Sequence, residues 1–546
     1  MRQLSGHDAG FLYSDTARSN ANVSLLHIFD QATAAGGVVR FKTVLAHIER
    51  RLSASPLFRQ RLQTVPLGLD HPYWVDDENF DVEYHVRHIA LPKPGDWRQF
   101  CIQASRIHAR ALDLDRPLWE VYVIEGLDSF LDLPEGSFGL LLKTHLAAVG
   151  VQQLSELSAL LLDDSALPTP AGPSAPWFAD AAPGRLSLLA RGVLKSATAP
   201  LRLVRPLARV ATHVAPAAAA LASEMLLRPQ NLPVTRFNSV VSPHRVFETR
   251  RFTEAEFDAV RGLVAGATLE DAVLAVCGGA LRRYLGAQGE LPEDHSLSAI
   301  FSQPAAVALA GAGPFKRKPI SAVPALTWRH VQLGTTLVDP LQRLVAVRAQ
   351  SLMQTAADPL LRVINSPELA QAGAVASAPL LSWSRRLAGG IGARLGPRTP
   401  PAHCSITEVP APGRPLFLCG ARMVYFSAIL PIADGLGLAF ALTRYDGRVV
   451  ISPTSCRELM PDPELFALCL RDSFQEYLAL AQARPRKPAR KRVKQPAGKA
   501  AATQSGPQPA TKPTLKPAAT ARRRPARPSQ KSKQAEQPAE EAAKVG

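Results

Sequence analysis

Apolar residues recur along this chain with two distinct periods, and the segments they mark alternate. NVSLLHIF at 22–29, WEVYVI at 119–124 and SFGLLLKT at 137–144 predict strands, the second of them ended by Gly126. In 41–52, Phe41, Val44, Leu45 and Ile48 fall on one face at helical spacing, and 97–112 and 152–162 read as further helices. FDVEYHV at 80–86 alternates apolar and polar positions and predicts a half-exposed strand. Together these elements make residues 1–165 a mixed domain.

Pro, Ala and Ser dominate 166–177 and mark the start of a linker expected over 166–234. Within it, Arg191, Lys195, Arg202, Arg205 and Arg209 lie among Leu, Val and Ala, and Pro200, Pro206 and Pro216 exclude one long helix. A second domain is expected over 235–482. FETRRF at 247–252 predicts a strand, Thr253 with Glu256 a capping box, and Thr268 the start of an apolar helix over 269–285. Strands are expected at 416–418 and 438–443. The turn signal Tyr445-Asp446-Gly447-Arg448 precedes another at 449–451, and a last helix runs from Pro461-Asp462-Pro463 to about 483. Strands and long helices alternate in both halves, so the fold class is α/β: two sandwiches of related build.

Composition adds a third region. Hydrophobic residues make up 46% of the 546, enough for substantial cores. The formal charge of +17 invites a nucleic-acid reading, but 484–546 alone carries 17 Lys and Arg against three Asp and Glu. The body is therefore near neutral. The tail, 483–546, has almost no large apolar residue and is expected to be disordered. It has no aromatic residue to stack on bases, which argues against sequence-specific nucleic-acid recognition and for nonspecific contact with a polyanion. Six scattered cysteines without metal-ligand spacing fit a reducing compartment. MRQLSGHDAGFLYSD lacks the apolar core of a signal peptide, and no run reaches membrane-spanning length. The expectation is a cytoplasmic protein that can lie at the periphery of a membrane or lipid inclusion.

Seven motifs in order resemble the bacterial wax ester synthase/diacylglycerol acyltransferase family. They are Leu4-Ser5-Gly6-His7-Asp8-Ala9-Gly10-Phe11-Leu12, Trp74 through Phe80-Asp81 with Tyr84-His85-Val86, and Arg116-Pro117-Leu118-Trp119-Glu120. In the second half they are Gly266-Ala267-Thr268 through Asp271 to Leu285, Val409-Pro410-Ala411-Pro412, Gly420-Ala421-Arg422 and Ala433-Asp434-Gly435. The resemblance covers nearly all of 1–482. It implies two chloramphenicol-acetyltransferase-like domains around a central tunnel. It also implies acyl transfer from acyl-CoA, a co-substrate rather than a bound cofactor, to a fatty alcohol or to the neutral lipid diacylglycerol. No metal is implied.

That family takes the hydroxyl proton with the second His of HHxxxDG, a role suited to neutral imidazole near pH 7. The matching frame here is His145-Leu146-Ala147-Ala148-Val149-Gly150-Val151. Leu146 stands at the base position and Gly150 at the Asp position; only the first His, His145, is kept. Glu270 and Glu408 stand where the family has Asn. Pro117, Leu118, Trp119, Glu270, Asp271 and Glu408 are expected to line the tunnel or hold the scaffold. His145 is either the base of a rearranged site or a structural hydrogen-bond donor, and strand alternation favours the second. Three readings follow: an acyltransferase working weakly or through a rearranged site, a non-catalytic relative that binds acyl-CoA or lipid or pairs with an active paralogue, or a scaffold whose tail attaches it to a polyanion such as an anionic membrane or lipid-inclusion surface.

Overall fold

A strand whose residues are apolar on both faces must be covered on both, and the chain meets this requirement with two large sheets and the helices between them. The computed structural model describes residues 1–128, 133–167, 177–195, 197, 233–304, 326–353 and 402–483. Residues 168–176, 196 and 198–232 of the linker, including Arg202, Arg205 and Arg209, and the tail from 484 lie outside the described residues.

A small sheet orders β1 (Arg2–Gln3), β4 (Tyr73–Asp76) and β3 (Gln60–Gln63), all antiparallel. The first large sheet takes β2 (Asn22–Asp30), β5 (Val86–Ala90), β6 (Trp119–Leu127) and β7 (Ser137–His145) from the first half of the chain. It is completed by β13 (Phe417–Leu418) and β14 (Ala421–Ile429) from the second, in the order β13-β14-β2-β7-β6-β5. The second large sheet holds β8 (Arg245–Phe247), β9 (Arg250–Thr253), β10 (Ser298–Pro304), β11 (Leu326–Gln332), β12 (Cys404–Glu408), β15 (Ala439–Tyr445) and β16 (Arg448–Cys456). Its order is β11-β10-β12-β15-β16-β8, with β9 also on β16.

The expected division into 1–165 and 235–482 therefore follows the chain but not the space it fills. β14 runs antiparallel to β2, with Ser427 opposite Leu26, and so ties the second half into the first sheet. The Ser427 and Ser452 hydroxyls then meet at 2.6 Å between β14 and β16.

Side-chain alternation along β2 and β7 sorts the core. Val23, Leu25, Phe29, Leu140 and Leu142 join a large cluster shared with the second half. Leu26, Ile28 and Leu141 face a smaller one with Trp97, Phe100, Ala104 and Ile107 of the Trp97–Ala109 helix. That helix begins where Asp96 and Gln99 form a reciprocal capping box. In the second half, the Leu269–Ala287 helix is buried nearly all round. At Gly279 a Cβ would stand 2.1 Å from Ser473 Oγ, so only glycine allows the Pro463–Ala483 helix so close.

One expected strand is replaced. Residues 82–85 form a short helix, and the strand starts only at Val86. Asp81 caps that helix by accepting from the Glu83 N–H at 2.9 Å. The turn carries His85 inward, where its ring stacks on Phe80 and on Trp119, with centroids 5.3 and 4.6 Å away. An alternating pattern of seven residues does not reveal a cap that wins this contest.

Candidate functional site

β7 lies in the interior of the first large sheet, and all nine of its residues are buried. Its last residue, His145, sits opposite Asn22 of β2, and the chain turns sharply after it. The turn is tied down by backbone bonds: Leu146 N–H donates to Ala21 O at 2.9 Å, and Ala148 N–H to His145 O at 2.9 Å. Leu118 supports it from β6's approach, its carbonyl accepting from both the His145 N–H and the Thr144 hydroxyl.

The two nitrogens of His145 are both engaged. Nδ1 accepts from the Ala147 N–H at 3.1 Å, which leaves Nε2 to carry the hydrogen and donate to Asp15 Oδ2 at 2.9 Å. Asp15 in turn accepts from the Ala21 N–H through Oδ1. The ring is 1% exposed. In this arrangement His145 has no lone pair to offer an incoming hydroxyl, and its hydrogen bonds join the end of β7 to the loop before β2.

Leu146, one residue on, points to the opposite face and into the large apolar cluster. Gly150 is exposed and stands before the one-turn helix Val151–Gln153. A Cβ placed there meets no atom within 4 Å, so an Asp side chain has room.

The face that His145 shares holds further buried polar groups that the sequence reading did not single out as sites. Lys143 Nζ donates to the Ile107 and Arg110 carbonyls at 3.1 and 2.6 Å and lies 3.6 Å from Glu120 Oε2. Burial pushes its ammonium down to about 8, against the pull of Glu120. His108 pairs with Ser24 Oγ at 3.0 Å, and burial with nearby Arg245 and Lys143 holds it well below the usual imidazole range. On the other face, His27 bridges Leu140 O and Ser158 Oγ, and burial lowers it to about 4. For His27 and Lys143 the signal was a polar residue inside an apolar strand pattern, and for His108 one near the end of an amphipathic helix, since a buried polar group must find a partner.

The remaining singled-out residues hold the scaffold. Trp119 donates its indole N–H to Phe58 O at 3.0 Å; Pro117 and Leu118 are buried beside it. Asp271 closes a capping box with Thr268, accepts from Ser351, and lies 3.4 Å from Arg348. Glu270, beside it, is half-buried in the first helical turn. Glu408 ends β12 and pairs with Arg444 at 2.9 Å. His403 is satisfied on both nitrogens, by the Ser298 N–H and the Pro233 carbonyl. Asp271 and Glu408 thus find their partners in the second half, where Glu270 also lies, while Leu118 alone of these six bonds directly to the β7 end. The described cavity of about 490 Å³ lies elsewhere, at the start of β7, lined by Phe41, His88, Glu125 and Phe138 among others.

Residues 4–273 match the family model of the wax ester synthase/diacylglycerol acyltransferase catalytic domain, and residues 325–477 match that of its C-terminal domain. Two Mycobacterium tuberculosis proteins named for diacylglycerol O-acyltransferase activity are similar in sequence. One is 28% identical, over 89% of this chain and 92% of its own; the other is 31% identical, over 87% and 98%. Among solved structures, the wax ester synthase/diacylglycerol acyltransferase from Marinobacter aquaeolei VT8 is similar in fold. Its TM-score is 0.60 at 23% identity, covering 88% of this chain and all of the other. A trichothecene 15-O-acetyltransferase from Fusarium sporotrichioides shares the fold at a TM-score of 0.52 and 9% identity, over 87% and 95%.

Proposed function

The chain belongs to the wax ester synthase/diacylglycerol acyltransferase family, and we propose that it is a member which keeps the lipid acyltransferase scaffold without the family's ordinary base catalysis. Acyl transfer from a thioester to an alcohol needs a group to take the hydroxyl proton as oxygen attacks, and a donor for the developing oxyanion. The base position holds Leu146, which cannot accept a proton. The observation that carries the reading is the engagement of His145: Nδ1 bound to Ala147 N–H and Nε2–H to Asp15 leave it structural. The protein then acts by binding acyl-CoA or neutral lipid, alone or beside an active paralogue. The tail, with 17 cations against three acids, is suited to hold it electrostatically at an anionic surface.

The test is turnover of labelled long-chain acyl-CoA with a fatty alcohol and with diacylglycerol, alongside acyl-CoA binding. Wild type is expected to bind acyl-CoA and to turn over at or near background. The double variant Leu146→His/Gly150→Asp is expected to raise turnover, because the turn is already formed and position 150 has room for a carboxylate. Robust wild-type turnover that His145→Ala abolishes would overturn the proposal in favour of a rearranged site built on His145.

A further inference from the structure

The cavity at the start of β7 is shaped by a bulge in its neighbour. Between β6 and β7 the register runs from Ile124 opposite Gly139 to Leu127 opposite Ser137, so β6 carries one residue more than β7 there. Gly126 sits in the bulge at φ +83°, a conformation that favours glycine. Glu125, just before it, stands opposite Ala90 of β5 and so shares a face with His88, two residues earlier on that strand. The two side chains meet in the cavity wall, with Glu125 Oε2 3.0 Å from His88 Nε2.

Around this pair the lining is mostly apolar. The Phe41 ring lies flat on His88, with centroids 5.0 Å apart and planes at 14°, and Phe138 and Val39 line the cavity from the core side, both buried. Arg40 and Asp128 also line it, but both are exposed and of opposite sign, so they offset each other. Glu125 is therefore the charge set among ring faces. Among the described residues no other side chain bonds its carboxylate. A half-exposed pair of this kind adds little to stability, so the fold does not require a carboxylate here.

We propose that this cavity binds a small organic amine with an apolar body, its ammonium at Glu125 and its body against Phe41, Phe138 and Val39. The cavity's 490 Å³ falls within the range of small-molecule sites, about 300–1,000 Å³. Aromatic ring faces are the negative part of the ring, and beside a carboxylate they favour a cation over an anion of the same shape. The site is separate from the acyl-transfer frame. Ser137 lines the cavity, and the length of β7, at roughly 3.4 Å per residue, puts His145 about 27 Å away. Occupancy does not depend on whether that frame turns over.

Calorimetric titration of the full-length chain with phenethylamine, 2-phenylethanol and phenylacetate tests this, because the three differ in charge but hardly in shape. Phenethylamine is expected to saturate one site with a Kd of about 1 mM or below, a range open to a ligand of about nine non-hydrogen atoms. The alcohol binds about tenfold more weakly, and the anion more weakly still. Glu125→Gln lowers affinity for the amine about tenfold and leaves that for the alcohol, and the melting temperature, as they were. Val38→Trp, at an exposed lining position, fills the mouth and weakens both amine and alcohol. The proposal is overturned if phenethylamine does not saturate, or if phenylacetate binds as tightly as the amine. It is equally overturned if either variant binds the amine like wild type.

Discussion

The end of β7 and the first turn of the Leu269–Ala287 helix both carry family motifs, and they have diverged to different residue types by the same rule. At the β7 end, the base and carboxylate positions have become Leu146 and Gly150, while His145 remains with both nitrogens bonded. At the helix start, Glu270 replaces the family's Asn, but Thr268 and Asp271 are kept and close a capping box that also binds Ser351 and Arg348. In each motif the residue that satisfies buried backbone donors has stayed. What has changed are positions whose polar groups the fold does not use. A motif can thus be retained for its architecture while the residue types at its chemical positions change.

Removing the retained residue at the helix start is expected to have the largest effect. Asp271→Ala breaks the box, strands the Thr268 N–H and leaves Arg348 without its partner, at a cost of about 4 kcal/mol in urea unfolding. A loss below about 1 kcal/mol would mean that this carboxylate is not structural, and the comparison would break.

The next effect is a pH dependence carried by the core. His27 is held to about 4 by burial, whereas an unfolded chain takes that proton near 6.5. Between those values the unfolded state binds more protons, so stability falls as the pH falls from about 6.5 to about 4, by up to roughly 3 kcal/mol for this group. His85, His108 and His403 are lowered for the same reason and add to the slope. Unfolding midpoints between pH 7 and 4.5 should show it, and His27→Gln should flatten part of the acid limb. A flat wild-type profile would contradict neutral, structural histidines.

The smallest of the three sharpens the comparison at the β7 end. His145→Ala leaves Asp15 and the Ala147 N–H without their partner and is expected to cost about 2 kcal/mol, because Asp15 is partly hydrated already. Unchanged stability together with lost turnover would reverse the assignment and make His145 functional.

Much of the architecture was legible from local pattern. The strands at 22–29, 119–124 and 137–144, and the helices capped by Thr253 and Thr268, stand where period and capping chemistry put them. The loss of a base at Leu146 was equally legible, since it is a statement about chemistry at one position. The helical turn at 82–85 was not. The Asp81 cap lies within the window, but the stack of His85 on Trp119, 34 residues away, does not, and a pattern of seven residues holds no trace of it.

Sequence alone determined the elements, the family and the vacancy in the catalytic frame, because each rests on residue type at short spacing. Only the tertiary structure decided that β14 completes the first sheet, that Glu125 meets His88 in a cavity wall, and that His145 has no free lone pair. Each of these depends on which groups far apart in the chain come within bonding distance: Ser427 opposite Leu26, Glu125 at His88, and Nε2 of His145 at Asp15, 130 residues away. Hydrogen-bond satisfaction and packing are properties of the folded neighbourhood, and a linear pattern cannot say which partner a buried nitrogen has found.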